Sequence, residues 1–381
     1  MRIVVTTVCV AIGLMATCAS ALALPNAHAV AGTANADDTV RAVVQSSGRI
    51  YIGGSFTHVD GKKKPRIAAL TGSRGRLITT WRARVNGRVY ALLLSGDGST
   101  LYAGGSFTRV NGIARKHVVA LRAKSGQVIK SWSAGTDGTV RALARRRGTV
   151  YLGGDFKTVR KAHRVRLAAV KAKNGHVRSW HALANRAVWS LAVSGGRLFA
   201  GGDFTKVAGQ GGNFADRQYF VALKTKKATV TSLNPAPDGQ VRAIKTVRGT
   251  MFFGTAGQCK TGETCNSALA YSSSTGALEW SCQTNGDVHS LARIGGVLYA
   301  GGHWTALVDC HGVTPGTPRL MALDRTSGEP VTTWPPYVNG FAVFGLAARG
   351  RRLAIGGSFT KVNGVAHGNF AEFKGDLGST T

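Results

Sequence analysis

The sequence predicts an all-β protein, a seven-bladed β-propeller built from four-stranded antiparallel blades, and three observations carry that prediction. The stretch IYIGGSFTHVDG at residues 50 to 61 returns as LYAGGSFTRVNG from Leu101, VYLGGDFKTVRK from Val150, LFAGGDFTKVAG from Leu198 and LAIGGSFTKVNG from Leu353. Weaker copies, MFFGTAGQCKTG from Met251 and LYAGGHWTALVD from Leu298, bring the series to seven. The leading glycines are Gly53, Gly104, Gly153, Gly201, Gly254, Gly301 and Gly356, and subtracting neighbours gives a period of 47 to 55 residues. That is the length of one propeller blade. Each copy also follows a short V-x-A-L segment, β-branched like a buried inner strand. Finally, 44% hydrophobic residues with 51 glycines and only 9 prolines exclude a disordered chain, and without a Gly-X-Y period they exclude collagen.

The elements follow in chain order. Residues 1–29 read as a secretory signal: Arg2, an apolar run, then small-residue cleavage sites ending at Ala23 or Ala29. The expected localisation is therefore secreted or cell-wall associated, with no transmembrane segment once the signal is removed. Residues 30–381 form one domain, with repeats near 40–86, 87–138, 139–186, 187–238, 239–286, 287–339 and 340–381. Within a repeat the V-x-A-L strand leads into the glycine-pair strand. A turn such as Asp60-Gly61, Asn111-Gly112 or Asn363-Gly364 then reverses the chain, because those pairs tolerate positive φ. An apolar third strand follows, and an outer strand ends in Trp81, Trp132, Trp180, Trp280 or Trp334. One tryptophan per repeat at a fixed place points to packing between blades. The last repeat lacks this outer strand, so the segment near Val30 is expected to supply it and close the ring, which would leave no sheet edge.

The recurring V-x-A-L, LYxGGxFTxVxG, AAL, (T/S)G and W pattern resembles the delta-60 repeat family of bacterial extracellular β-propellers across nearly all of residues 38 to 375. The resemblance implies a propeller fold and leaves the chemistry open. Kelch blades share a glycine doublet and a tryptophan, but Trp81 lies 27 residues beyond Gly54 (81 minus 54), far for that pattern.

A net charge of +32 is distributed unevenly: the first three repeats carry +9, +5 and +12, and the remaining four together only +7. Such a basic half would attract anionic polymers, either cell-envelope polymers or acidic polysaccharides, with salt-sensitive binding. Lys62, Lys63 and Lys64 and Arg145, Arg146 and Arg147 are the expected contacts, all read as exposed turn charges. No recognition module for nucleic acid is present, and a monomer is expected. The variable position inside V-x-A-L supplies the second candidate site: Arg41, Tyr90, Arg141, Trp189, Arg242, His289 and Phe344. Strand position brings these seven to the axis, where three arginines and three aromatics suit a small anionic or sugar-like ligand. Packing between blades, with arginine stems reaching outward, is the alternative.

Four cysteines lie beyond the signal, Cys259, Cys265, Cys282 and Cys310. Two disulfides are expected in an oxidising compartment, and of three possible pairings Cys259 with Cys265 and Cys282 with Cys310 is favoured. No CxxC pair speaks for zinc. No catalytic residue, metal or cofactor is expected, and the function predicted is a binding or scaffold module at the cell envelope. The competing class is an extracellular propeller enzyme, a quinone- or copper-dependent oxidoreductase or a glycan-processing enzyme, for which His289, His303 and His311 are the only local histidine concentration.

Overall fold

The computed structural model describes residues 24–257, 266–312, 318–334 and 336–375. Among them every regular element is a β-strand, and seven sheets repeat the same order of inner, second and third strand. The inner strands are Val40–Gln45, Val89–Leu94, Val140–Arg146, Val188–Ser194, Gln240–Val247, Val288–Ile294 and Ala342–Arg349. Each pairs antiparallel with the glycine-pair strand that follows it, Arg49–Gly54 in the first unit, and that strand pairs with a third, there Ile67–Thr71.

The glycine pair explains how units fit together. A Cβ at Gly53 would stand 2.6 Å from Val89 of the next inner strand, and one at Gly54 would stand 2.0 Å from the carbonyl oxygen of Thr39. The first contact recurs from Gly104 to Val140, from Gly153 to Val188 and onward to Gly356, which abuts Val40. Each leading glycine is a notch that receives the valine of the following unit. The hydrophobic cores accordingly lie between sheets: Tyr51, Ile67 and Trp81 of the first unit share a core with Val89, Leu101 and Val119 of the second.

The expected fourth strand is corrected. Among the described residues a tryptophan segment forms a strand only in the fifth unit, Leu278–Thr284, which pairs inward with Ser267–Ser272 and outward with Leu307–Asp309. Elsewhere a single bridge joins it, as in Leu70 with Leu77 and Val170 with Val177. The chain turns immediately before the indole, Trp81 N–H donating to Ile78 and Trp132 N–H to Ile129, so the ladder cannot propagate. The tryptophans face the next unit, as expected: the Trp81 indole donates to Ala123 O at 2.9 Å and packs on Tyr51 at 5.9 Å, and the Trp180 indole donates to Lys224 O at 3.1 Å.

The turns appear where the sequence places them. Asp60-Gly61, Asn111-Gly112 and Asn363-Gly364 all have positive φ, but each closes a small two-stranded hairpin, such as His58–Val59 with Lys62–Lys63, before the third strand begins. One basic side chain beyond each of the first four hairpins then holds the outer segment. Lys64 Nζ donates to Thr79 O and Trp81 O at 2.8 and 2.7 Å, Arg115 to Lys130 O, Arg164 to Arg178 O and Arg217 to Thr231 O.

The segment before Val40 lies on the last sheet. Asn26 N–H donates to Lys374 O and Val30 N–H to Glu372 O, and Leu24, Ala27 and Ala29 pack on the core of the last unit. No strand forms in residues 24–30, which corrects the expected outer strand and matches the units other than the fifth. The inner strand Ala342–Arg349 lies against Val40–Gln45, where Gln45 Nε2 donates to Ala347 O at 2.7 Å. Cys282 and Cys310 are bonded, joining the outer strand of the fifth unit to the sixth. Cys259 and Cys265 lie outside the described residues.

Candidate functional site at the axis

Every inner strand begins with an irregularity of register. Val40 faces Gly54 and Ala42 faces Gly53, which leaves Arg41 without a partner across the ladder. The same slip isolates Tyr90, Arg141, Trp189, Arg242, His289 and Phe344. A β-bulge turns the extra residue out of the pleat. All seven predicted ring residues are therefore the bulged residues of their strands, and the valine beside each is anchored in the glycine notch of the preceding unit.

The structure brings the seven together around one cavity of about 390 Å³, and Asp287 joins them. The ring alternates cations and aromatic groups. The Arg41 guanidinium stands 4.7 Å from the Phe344 ring and 5.8 Å from Tyr90, Arg141 stands 5.3 Å from Tyr90 and 4.1 Å from Trp189, and Arg242 also stands 4.1 Å from Trp189. His289 packs on Phe344 at 5.0 Å. The aromatic rings thus spend their faces on guanidinium neighbours around the ring, an arrangement that stabilises a half-buried cation.

The three arginines differ in their commitments. Arg141 Nε donates to Asp155 at 2.7 Å, and Arg242 donates to Gln240 Oε1 at 2.8 Å. Arg41 has no hydrogen-bonded side-chain partner among the described residues, and its buried Nε is unpaired, as are Arg242 Nε and the Trp189 indole N–H. Burial lowers the Arg41 and Arg242 pKa values from the ordinary guanidinium range. Burial, reinforced by Arg242, His303 and Arg41, pushes His289 down to about 3, so its imidazole is neutral at physiological pH.

Asp287 was not foreseen. The available signal was the residue just before each inner valine, which also varies between repeats: Thr39, Arg88, Thr139, Ala187, Gln240, Asp287 and Ala342.

The two basic triplets do not form one patch. Lys62 and Lys63 are exposed on the hairpin that follows the glycine pair, at the cavity end of the strands. Arg145, Arg146 and Arg147 stand at the other end of the inner hairpin, where Arg146 faces Thr149, with Arg145 and Arg147 exposed and Arg146 half-buried. Lys64 corrects the expectation of an exposed charge. It is 8% exposed, and its ammonium is held by two backbone carbonyls. On the cavity side further cations line grooves between units: Arg82 and Arg84 beside Lys62 and Lys63, then Arg115, Lys116, Arg160 and Lys161 in a groove of about 590 Å³. Of the three histidines, His289 packs on Phe344 and lies near enough to His303 to feel its charge, His303 stacks on Phe341 at 4.0 Å, and His311 sits in a turn with positive φ.

With this geometry in place, the likeness to known proteins is clear at the level of fold. A family profile described as a domain of unknown function (DUF5122) beta-propeller matches residues 45–71, the second and third strands of the first unit. The WD40 beta propeller domain of Doa1 superposes with a TM-score of 0.59 at 12% identity, covering 94% of this chain and 98% of that one. The fold is a β-propeller. A chain of the Mitotic Checkpoint Complex gives a TM-score of 0.57 at 13% identity over 99% of each chain, and the computationally designed Ika8 protein gives 0.50 at 14% identity over 89% of this chain and 97% of that one. No curated protein matches the sequence. At these identities the propeller likeness carries fold and no chemistry.

Proposed function

We propose that this propeller is a secreted binding or scaffold module of the cell envelope, a closed ring of seven delta-60-type blades. Its basic first three units would contact anionic polymers, and its axial cavity would take a small ligand. The observation that carries the reading is the convergence of the seven variable bulge residues on one cavity while their neighbours keep a repeated, structural role. Closure is supported by the contact of Gly356 with Val40 and by the packing of residues 24–30 on the last sheet. Those contacts also favour signal cleavage after Ala23, since cleavage after Ala29 would remove Leu24, Ala27 and Ala29 from the core they cover. Mass spectrometry of the secreted protein decides between the two sites.

The polymer contact is supported by Lys62, Lys63, Arg82 and Arg84 in one groove and Arg115, Lys116, Arg160 and Lys161 in the next. Retention of the mature protein on a polyanion column across a salt gradient is the test. Release at a salt concentration lowered by replacing Lys62, Lys63, Arg82 and Arg84 with glutamine is expected, because each lost contact removes counterion release. Absence of retention at low salt overturns the polymer contact. Replacing Arg145, Arg146 and Arg147 with glutamate is the second arm, and unchanged retention places the contact on the cavity side alone.

A further inference from the structure

The axial cavity presents charges of both signs, Arg41 and Asp287, whose side chains are not tied to each other or to a neighbour by a hydrogen bond among the described residues. Among the described residues Arg41 has no hydrogen-bonded side-chain partner, whereas Arg141 is held by Asp155 and Arg242 by Gln240. The Asp287 carboxylate lines the same cavity, where its charge acts on Arg242, and it makes no side-chain hydrogen bond among the described residues. The neutral His289, two residues after Asp287, packs on Phe344, which in turn faces Arg41. Arg41 Nε and the Trp189 indole N–H are buried donors without acceptors, each of which costs free energy until an acceptor arrives.

The aromatic groups also narrow the ligand. Arg141 and Arg242, from the units on either side, both stand 4.1 Å from the Trp189 ring, and Arg41 stands 4.7 Å from Phe344. A sugar cannot stack on a ring face that a guanidinium occupies, so neutral-sugar recognition by stacking does not fit. What the cavity offers instead is a guanidinium for acceptors and a carboxylate for donors, in a volume of about 390 Å³, well above that of an inorganic anion.

We propose that the axial cavity binds a sugar acid, a carboxylate-bearing polyhydroxy ring of the uronate type, with its carboxylate on Arg41 and its hydroxyls donating to Asp287. This rests on the axial-ligand reading above and names the ligand class for that site. It also joins the two candidate sites, since a uronate is the repeating acid of an acidic polysaccharide: the basic grooves hold the polymer, and the axis takes a single residue.

Glucuronate, glucose and inorganic phosphate titrated into the full mature chain by calorimetry test the proposal. Glucuronate is expected to bind, with glucose and phosphate each at least about 10-fold weaker, given the strength of hydrogen bonds to charged groups. Arg41→Gln should weaken glucuronate about 10- to 100-fold and Asp287→Asn about 3- to 10-fold. Arg41→Lys, which keeps the charge, should recover part of the loss, and a thermal melt of each variant shows that it is folded. Glucose binding as tightly as glucuronate, or phosphate matching it, overturns the proposal. If none of the three probes binds but the polyanion column still retains the protein, the sugar-acid site falls and the polymer contact stands. If retention fails too, both fall.

Discussion

Individual residues in this chain do one of two jobs, and their surroundings separate them. Gly54 and Gly61 illustrate the structural kind. A Cβ at Gly54 would lie 2.0 Å from the backbone oxygen of Thr39, which no rotamer change relieves, whereas Gly61 has open space and only a positive φ of 69° to satisfy. Gly54→Ala should therefore cost about 3 kcal/mol or more, the upper range for overpacking, and Gly61→Ala only about 1 kcal/mol for the left-handed backbone. Urea denaturation of both variants checks the order. His289 belongs to the axial set. Its folded-state pKa is about 3, against 6.5 for the free side chain. Between those values the unfolded chain binds a proton that the folded chain refuses, so stability falls as pH drops from 6.5 toward 3. His289→Gln should flatten that fall. The comparison is cleanest above pH 4, because Asp37 is also shifted: burial raises it, but hydrogen bonds from His58 and Thr57 outweigh this and hold it at about 2, so its own stabilisation is lost only as pH falls below 3.8 toward that value. Urea midpoints measured from pH 7 to 4 on both proteins decide it, and parallel curves would mean that His289 titrates freely.

At the scale of the element, the difference between a four-stranded blade and the observed sheets turns on the outer segment, which a cation and an indole hold in place of a ladder. Lys64→Met leaves the carbonyls of Thr79 and Trp81 without their donor and should cost about 2 kcal/mol, the penalty for buried unsatisfied groups. Lys62→Ala, in exposed hairpin, should stay within about 0.5 kcal/mol. Equal effects would refute the latch. The fifth unit, where the outer segment is a true strand, carries the Cys282–Cys310 bond, whose ends are 28 positions apart in the sequence. Replacing both cysteines with alanine should lower stability by roughly 3–4 kcal/mol on chain-entropy grounds, read as the shift in thermal midpoint. The repeat made the inner, second and third strands legible, because their apolar period and glycine pairs recur. The latch was not legible, since Lys64, Arg115, Arg164 and Arg217 look like surface charge until the carbonyl that each one meets is known. The ring was legible for a specific reason: a position that varies between an invariant valine and a small residue is released from packing. That it is also the bulge position could be seen only in the register. Asp287 escaped because the position before the valine varies as well, and only in that unit does it place a carboxylate in the cavity.

For the whole molecule, the proposed closure makes the termini part of the fold. Each unit covers its inner valine with the glycine notch of its predecessor, and Val40 has only Gly356, the last in the chain, to fill that role. Residues 24–36 complete the seam: they cover the last core, bond to the strand Phe370–Lys374, and place Thr33 Oγ1 3.0 Å from His367 Nδ1 at the position where other units use Lys64 or Arg115. Removing residues 24–36 should then do more than subtract local contacts. It would expose the third strand of the last sheet and leave Glu372, which is fully buried beside Arg352, with an open flank. A chain beginning at Asp37 is expected to lose a cooperative melt and to associate through the exposed edge, seen as a broadened thermal transition and a larger hydrodynamic radius. A chain that melts in one sharp step at an unchanged midpoint would show that the ring holds without its N-terminal segment, and the notch contact between Val40 and Gly356 would then carry the closure by itself.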